Sequence, residues 1–99
     1  MKGMADQQEV KVTNNPNESR FETTIGDSVA VAAYELAPGQ ITFTHTSVPP
    51  ELSGQGIANE LARAGLDHAR AENLRVVAVC SFIAKYIQRN PQYQDLVSP

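Results

Sequence analysis

Ser53-Gly54-Gln55-Gly56-Ile57-Ala58 joins an extended segment to an amphipathic helical pattern, and it connects the two halves of the chain. Glycine tolerates positive φ and lets the backbone approach a ligand closely. A helix N-terminus adds unpaired N–H groups and a partial positive charge. The stretch therefore predicts a turn that binds an anion such as a phosphate. The alternative is a tight strand-to-helix connection that binds nothing.

Three extended segments precede this turn and predict an antiparallel meander. Gly26-Asp27 and Pro38-Gly39 separate them and suit tight hairpin connections. The segments cover about residues 20–24, 28–35 and 40–48.

The third segment carries a histidine at a position of interest. Strand periodicity predicts that His45 shares a face with the apolar Ile41 and Phe43. Pro49-Pro50 then ends the strand, because proline cannot donate to a central ladder. The chain is therefore expected to leave the sheet there.

The second half of the chain predicts a helix, a strand and a second helix. Small and apolar residues recur at helical spacing from Gly56 to about Glu72. Leu74 to Cys80 is a nearly continuous apolar run, which predicts a buried strand covered on both faces. A short helix is expected over about 82–89, and residues 92–99 are expected to form a closing turn or a one-turn helix. The helix between strands implies a right-handed crossover to a parallel strand. Together with the antiparallel meander, this predicts an α+β fold.

Composition and charge limit the possible roles. With 99 residues and a net charge of -3, the chain lacks the basic surface expected of a nucleic-acid or membrane binder. One cysteine and two separated histidines give no metal-ligand pattern, and a lone cysteine suits a reducing cytoplasm. We expect a disordered tail over residues 1–9, one domain over residues 10–99, and a monomer or weak dimer.

Three blocks in this order resemble the GCN5-related N-acetyltransferases, in particular their small single-domain branch. The blocks are Phe43 to Leu52, the glycine turn, and Cys80 to Pro91, and the resemblance covers about residues 19–97. It implies a mixed sheet in which a meander is followed by a helix, a splayed parallel strand and a C-terminal helix. It also implies acetyl-coenzyme A as co-substrate and an amine of unknown identity, on a small molecule or a protein, as acceptor.

The resemblance assigns a coenzyme site to the turn and its surroundings. Backbone N–H groups of Gln55 through Ala58 would hold the pyrophosphate. The family motif begins with Gln or Arg, but Ser53 stands here, so one long polar side chain is missing. The residues implied in coenzyme binding are Val48, Gly54, Gln55, Gly56, Ile57, Ala58, Asn59, Lys85 and Arg89.

Three side chains are candidates for the chemistry, each with a structural alternative. His45 could remove a proton from the amine, or could be a histidine bonded to its neighbours. Cys80 could carry the acetyl group, or could only pack or line the ligand site. Tyr86 could protonate the leaving thiolate, or could be a core tyrosine. Lys85 and Arg89 could equally form a solvated helix face. The second histidine, His68, is expected to be exposed or near the helix end.

Three functions therefore remain open. The chain could be an N-acetyltransferase, a coenzyme A-binding module without catalysis, or a protein-interaction module that uses an exposed sheet edge. A dinucleotide-binding unit is disfavoured, because the turn follows a meander and Asn59 replaces the third glycine of that motif.

Overall fold

The computed structural model describes residues 10–97 and contains, within them, a five-stranded mixed sheet whose strands lie in sequence order. Consecutive strands are antiparallel from the first to the fourth, and the fifth is parallel to the fourth. The predicted α+β class is confirmed, whereas the predicted tail over residues 1–9 lies outside the described residues. The strands are β1 (Thr13–Asn15), β2 (Arg20–Ile25), β3 (Ser28–Ala37), β4 (Gln40–Ser47) and β5 (Arg75–Ala78).

Two α-helices and two 3-10 segments complete the described part of the chain. Helix α1 spans Ile57–Ala71 and helix α2 spans Ser81–Arg89, which confirms both predicted helices to within a residue or two. The 3-10 segments are Pro50–Leu52, after β4, and Pro91–Leu96, where a closing turn or a one-turn helix was predicted. Of that predicted turn, residues 98–99 lie outside the described residues.

The helices pack on one face of the sheet and bury the core there. Helix α1 faces the sheet with small and apolar residues, and Gly65 lies directly against the Phe43 ring. The largest fully buried side chains are Ile41, Phe43, Ile57, Leu61, Leu66, Val76 and Ile83, from both helices and the sheet. Contact between α1 and the C-terminal segment holds the helical layer together, because Tyr93 donates a 2.7 Å hydrogen bond to Asp67.

The opposite face of the sheet is not covered by any element within residues 10–97. This corrects the prediction of a strand covered on both faces over Leu74 to Cys80. The strand is only Arg75–Ala78, it lies at the end of the strand order, and Val79 just beyond it is 65% exposed. The apolar run reflects one buried face and one edge position, which a run of valines does not distinguish from full burial.

A bulge in β4 changes the direction of His45. Pairing with β3 shifts between Phe43, which opposes Tyr34, and His45, which opposes Ala33, so Thr44 is an extra residue. The Thr44 hydroxyl donates a 3.4 Å hydrogen bond to the Ala33 carbonyl across the bulge. His45 is therefore exposed on the uncovered face, and the prediction that it shares a face with Ile41 and Phe43 is wrong.

Strand β1 was not predicted. Its residues Thr-Asn-Asn include two asparagines, which are depleted in strands, and the strand spans three residues at the sheet edge. None of the helices within residues 10–97 is both long and apolar enough to cross a bilayer.

Candidate functional site

The candidate site lies where β4 and β5 separate. Their parallel pairing ends at Phe43 and Ala78, although β4 continues against β3 as far as Ser47. The Phe43 carbonyl accepts hydrogen bonds from the N–H groups of both Val79 (3.0 Å) and Cys80 (2.9 Å), which turns the chain away from the sheet. One edge of β4 beyond Phe43 thus has no β5 partner. Both helices begin at this end of the sheet.

The glycine turn lies beside this opening with the conformation that its sequence predicts. Gly54 has φ of 81° and Gly56 has φ of 76°, and a Cβ at either position would meet no atom within 4 Å. Gly56 is the N-cap of α1 and has no side chain to satisfy the first N–H groups of the helix. The turn can therefore direct backbone donors toward an anion.

Neighbouring residues hold the turn in place. The Ser53 hydroxyl donates a 2.9 Å hydrogen bond to the Pro50 carbonyl, so this side chain supports the loop from within. The Ser28 hydroxyl donates to the Glu51 carboxylate and ties the segment before the turn to the β2–β3 hairpin. That bond lowers the pKa of Glu51. After the turn, Ile57 is fully buried and anchors the first turn of α1.

A cleft lies between the two helices, and Asn59 in the first turn of α1 lines one side of it. Its volume is about 360 Å³. Lys85 and Arg89 are both exposed on its α2 side, and neither forms an ion pair within residues 10–97. The structure thus brings together residues predicted for coenzyme binding from two separate blocks of sequence. The cleft is lined by Asn59, Phe82, Lys85, Tyr86, Arg89 and Asn90.

Cys80 is the N-cap of α2 and lies on the β5 side of the opening. Its Sγ is 3.2 Å from the Thr46 hydroxyl oxygen, so β4 and α2 contact each other across the opening. Burial raises the pKa of the Cys80 thiol, but hydrogen bonds from Thr46 and from backbone N–H groups at the start of α2 favour the thiolate. The net pKa lies below its usual value. Hydrogen bonds to the sulfur thus more than offset the effect of burial at this position.

The remaining candidates lie on different sides of the opening. His45 projects from the uncovered face, whereas Thr46 opposes the buried Ala32 and faces the helices. Tyr86 is half-buried in the cleft, about 9 Å along α2 from the Cys80 cap at 1.5 Å per residue. Burial raises the pKa of Tyr86. Val48 directly follows β4 and packs at the edge of the core.

Thr46 was not predicted from sequence. The strand pattern placed it away from Phe43, and only the bulge turns it toward Cys80. The second histidine, His68, is partly buried with its ring 5.5 Å from that of Phe21. It lies in the last turn of α1, near the helix end as expected, and away from the opening. Within residues 10–97 no three His, Cys, Asp or Glu side chains converge as a metal site would require.

Comparisons with known proteins agree with this arrangement. The family model of the GCN5-related N-acetyl-transferases matches residues 20–96. Protein NATD1 from mouse and from human is 40% identical over 73 residues, which is 71% of this chain but only 66% and 65% of those relatives, just under two thirds of their length. The zebrafish protein NATD1 is 30% identical over 90 residues, 88% of this chain and 82% of its own.

A solved structure has the same fold. The solution NMR structure of a GCN5-like protein from Staphylococcus aureus superposes with a TM-score of 0.70 and 28% identity, and the match covers 93% of this chain and 91% of that one. The family match over residues 20–96 thus includes strands β2 to β4, the glycine turn, both helices and the whole C-terminal 3-10 segment. The chain belongs to the GCN5-related N-acetyltransferase family.

Proposed function

We propose that this protein binds acetyl-coenzyme A and transfers the acetyl group to a primary amine. The observation that carries the proposal is the position of the glycine turn, whose positive-φ glycines lead into α1 beside the unpaired edge of β4. An anion site and an open strand edge, side by side, suit a ligand with a pyrophosphate at one point and an amide-containing arm at another. Family membership supports the same reading.

In the proposed complex, the chain holds the coenzyme mainly through its backbone. N–H groups of Gln55 through Ala58 donate to the pyrophosphate, and the partial positive charge at the start of α1 adds to the attraction. Lys85 and Arg89 face other phosphate oxygens, and Asn59 lines the same cleft. The edge of β4 up to Val48 pairs with the arm of the ligand. The thioester then lies near Cys80.

The chemistry needs a base, an acid and an open path between them. In the direct route, His45 takes a proton from the ammonium and the amine lone pair attacks the thioester carbonyl. A C–N bond forms and the C–S bond breaks while the new amide nitrogen loses its second proton to water. Tyr86 protonates the leaving thiolate and regains its own proton from solvent. In the alternative route, the Cys80 thiolate first takes the acetyl group as a protein thioester and then passes it to the amine. The lowered pKa of Cys80 favours this second route.

A second candidate function is coenzyme A binding without transfer. This function is favoured by Ser53, which occupies the position where the family usually has a long polar side chain. The Ser53 hydroxyl already donates a hydrogen bond to the Pro50 carbonyl. Binding and turnover distinguish the two candidates. Both require the same coenzyme site.

The first experiment is an NMR titration of the isotope-labelled protein with coenzyme A. We expect the amide signals of Gln55 through Ala58 and of the cleft residues to shift, and those of the β1–β2 turn to stay unchanged. An unchanged spectrum at millimolar coenzyme A would contradict both candidate functions.

Turnover is tested with labelled acetyl-coenzyme A and a cell extract, followed by identification of the acetylated compounds. Replacing His45 with Gln should change the profile of rate against pH if His45 is the base, and an unchanged profile would exclude that role. Mass spectrometry of the protein after incubation with acetyl-coenzyme A should show an acetyl group on Cys80 if the second route operates, and none in Cys80→Ala. Binding without any acetylated product would support the binding module instead.

A further inference from the structure

The uncovered face of the sheet carries a carboxylate beside the opening. On this face the cross-strand pair Ala33–His45 is followed by the pair Glu35–Thr42, and Thr42 pairs on its other side with Val77. Residues directly opposite each other share a face, and diagonal neighbours lie about 7–8 Å apart. Glu35 is therefore a diagonal neighbour of His45, one position before β4 and β5 separate.

The charge of Glu35 is not compensated by the described part of the chain. Its side chain is exposed, and it forms no hydrogen bond or ion pair within residues 10–97. Glu22, on the same face, is instead bound by Arg20 at 2.8 Å. Arg20 lies in the same cross-strand row as His45. Its positive charge is balanced by its ion pair with Glu22. Of the two diagonal neighbours of His45 on β3, Val31 and Glu35, only Glu35 carries a charge.

The two faces of the sheet offer different routes to the opening. The glycine turn and the cleft between α1 and α2 lie on the side of the helical layer, so a coenzyme held there reaches the opening from that side. The uncovered face is left for the second substrate. A primary alkylamine has a pKa of about 10.4 and arrives as an ammonium ion. A carboxylate at the mouth of the opening attracts that form of the amine.

We propose that Glu35 is a specificity-determining residue that draws a cationic primary alkylamine to the His45 side of the opening. The shared chemistry is that of a lysine side chain or a polyamine. The proposal rests on the acetyl transfer proposed above, in which His45 then takes the proton of the bound ammonium. Glu35 itself acts by charge alone and makes no bond to the reacting carbon.

The test compares the wild-type protein with Glu35→Gln and Glu35→Lys. Glu72→Gln and Glu72→Lys are the matched controls. They make the same charge changes on an exposed residue at the C-terminal end of α1, away from the opening. The acceptors are spermidine, a lysine-containing peptide and the uncharged arylamine 4-methoxyaniline. For the two cationic acceptors, kcat/KM should fall about two- to fivefold in Glu35→Gln, the range of an exposed ion pair, and further in Glu35→Lys.

The arylamine should react equally well with all variants, and added salt should reduce the difference for the cationic acceptors. Whichever of spermidine and the peptide shows the larger fall in kcat/KM in the Glu35 variants is the source of alkylamine that the site prefers. Equal losses in the Glu35 and Glu72 variants, or an equal loss with the arylamine, would overturn the proposal, because the effect would then be one of net charge or of folding.

A binding measurement separates this proposal from the acetyl transfer on which it rests. Spermidine is titrated into the labelled protein alone and into the protein saturated with coenzyme A, followed by NMR. Shifts centred on Glu35, Thr42 and His45 that weaken in Glu35→Gln, but not in Glu72→Gln, support the proposal even where no product forms. Shifts spread over all acidic residues, or none near Glu35, would refute it. Failure of coenzyme A to bind would refute the proposed function instead.

Discussion

Gly56, immediately before α1, has a positive φ. An L residue other than glycine adopts such a φ only with strain. A Cβ there would meet no atom within 4 Å, so the cost of Gly56→Ala comes from backbone strain and not from a clash. We expect a loss of about 1–2 kcal/mol in the free energy of unfolding. Relief of that strain would turn the loop N–H groups away from the phosphate, and the affinity for coenzyme A should fall. Urea denaturation and calorimetry measure the two effects.

Gly26 provides a matched control for this prediction. It also has positive φ, at 62°, and open space around its missing side chain, but it lies in the β2–β3 hairpin. Gly26→Ala should lose similar stability and bind coenzyme A as the wild type does. An equal loss of affinity in both variants would mean that the effect is general destabilisation and that the turn is only structural.

Cys80 should react at lower pH than an ordinary thiol. Burial raises the pKa of the Cys80 thiol, but hydrogen bonds from Thr46 and from backbone N–H groups at the start of α2 outweigh burial. The net pKa lies below the usual value of 9.0, so the thiolate forms as pH rises through a lower midpoint. We expect the rate of alkylation by iodoacetamide, plotted against pH, to show this lower midpoint. A midpoint at or above that of a cysteine peptide would contradict the assigned environment.

Thr46 should control this midpoint, because its hydroxyl is the side-chain partner of the sulfur at 3.2 Å. Thr46→Val removes the hydroxyl that lowers the pKa of Cys80, while burial continues to raise it. The midpoint of the alkylation profile should therefore move to higher pH. Thr46→Ser keeps the hydroxyl and should stay near the wild-type midpoint. Identical midpoints in all three proteins would show that the backbone N–H groups alone stabilise the thiolate.

The packing of α1 on the sheet depends on Gly65. A glycine inside a helix is ordinarily unfavourable by about 0.5–1 kcal/mol relative to alanine, so Gly65→Ala should stabilise an isolated helix. Here the new Cβ would lie 2.8 Å from the buried Phe43 ring. Overpacking of this kind costs about 1–3 kcal/mol, so we expect a net decrease in the free energy of unfolding, measured with urea. An increase would mean that the ring moves aside without cost.

The elements show where sequence patterns are sufficient and where they are not. The period of α1 and the turn residues at Gly26 and Gly39 report local geometry, and all three were predicted because local sequence determines them. The bulge at Thr44 depends on how two strands align, and nothing within β4 itself indicates it. Since one extra residue reverses all later side chains, the facing of His45 and Thr46 could not be predicted.

The same limit applies to β5. A run of apolar residues predicts burial, but the number of covered faces depends on which elements pack against the strand. Here the helical layer covers one side only, so Val76 is fully buried while Val79 is 65% exposed. The residues of the glycine turn could be identified from sequence because they are contiguous. The contact of Thr46 with Cys80 could not, because it joins two elements across the opening.

Seen as a whole, the molecule is a two-layer structure with its chemistry at one end. Both helices begin at the opening between β4 and β5, and the C-terminal segment is fixed at the other end of α1 by Arg70, which pairs with Asp95 at 2.9 Å. A cleft of about 360 Å³ also lies at that far end, beside Gly39 and Arg70. Arg70 is already bound by Asp95 there, whereas Lys85 and Arg89 in the cleft between α1 and α2 form no ion pair within residues 10–97.

The helical layer and the sheet together predict how the protein unfolds in alkali. The chain has three tyrosines, and burial raises the pKa of each of them. For Tyr93 the pKa rises to about 12. A group whose pKa is raised by folding contributes stability below its unfolded value of 10.0, and that stability is lost as pH rises toward the folded value. We therefore expect tyrosinate absorbance to appear together with the loss of circular dichroism.

Tyr93→Phe tests this dependence, because it removes the tyrosine with the largest shift. It also removes the hydrogen bond to Asp67, so the variant should be less stable at neutral pH by about 1 kcal/mol. Above pH 10 its free energy of unfolding should nevertheless fall less steeply than that of the wild type, since one fewer proton is released on unfolding. Urea denaturation at a series of pH values measures the slope. Parallel slopes, or tyrosinate forming near pH 10 in the folded protein, would contradict the burial of the Tyr93 hydroxyl.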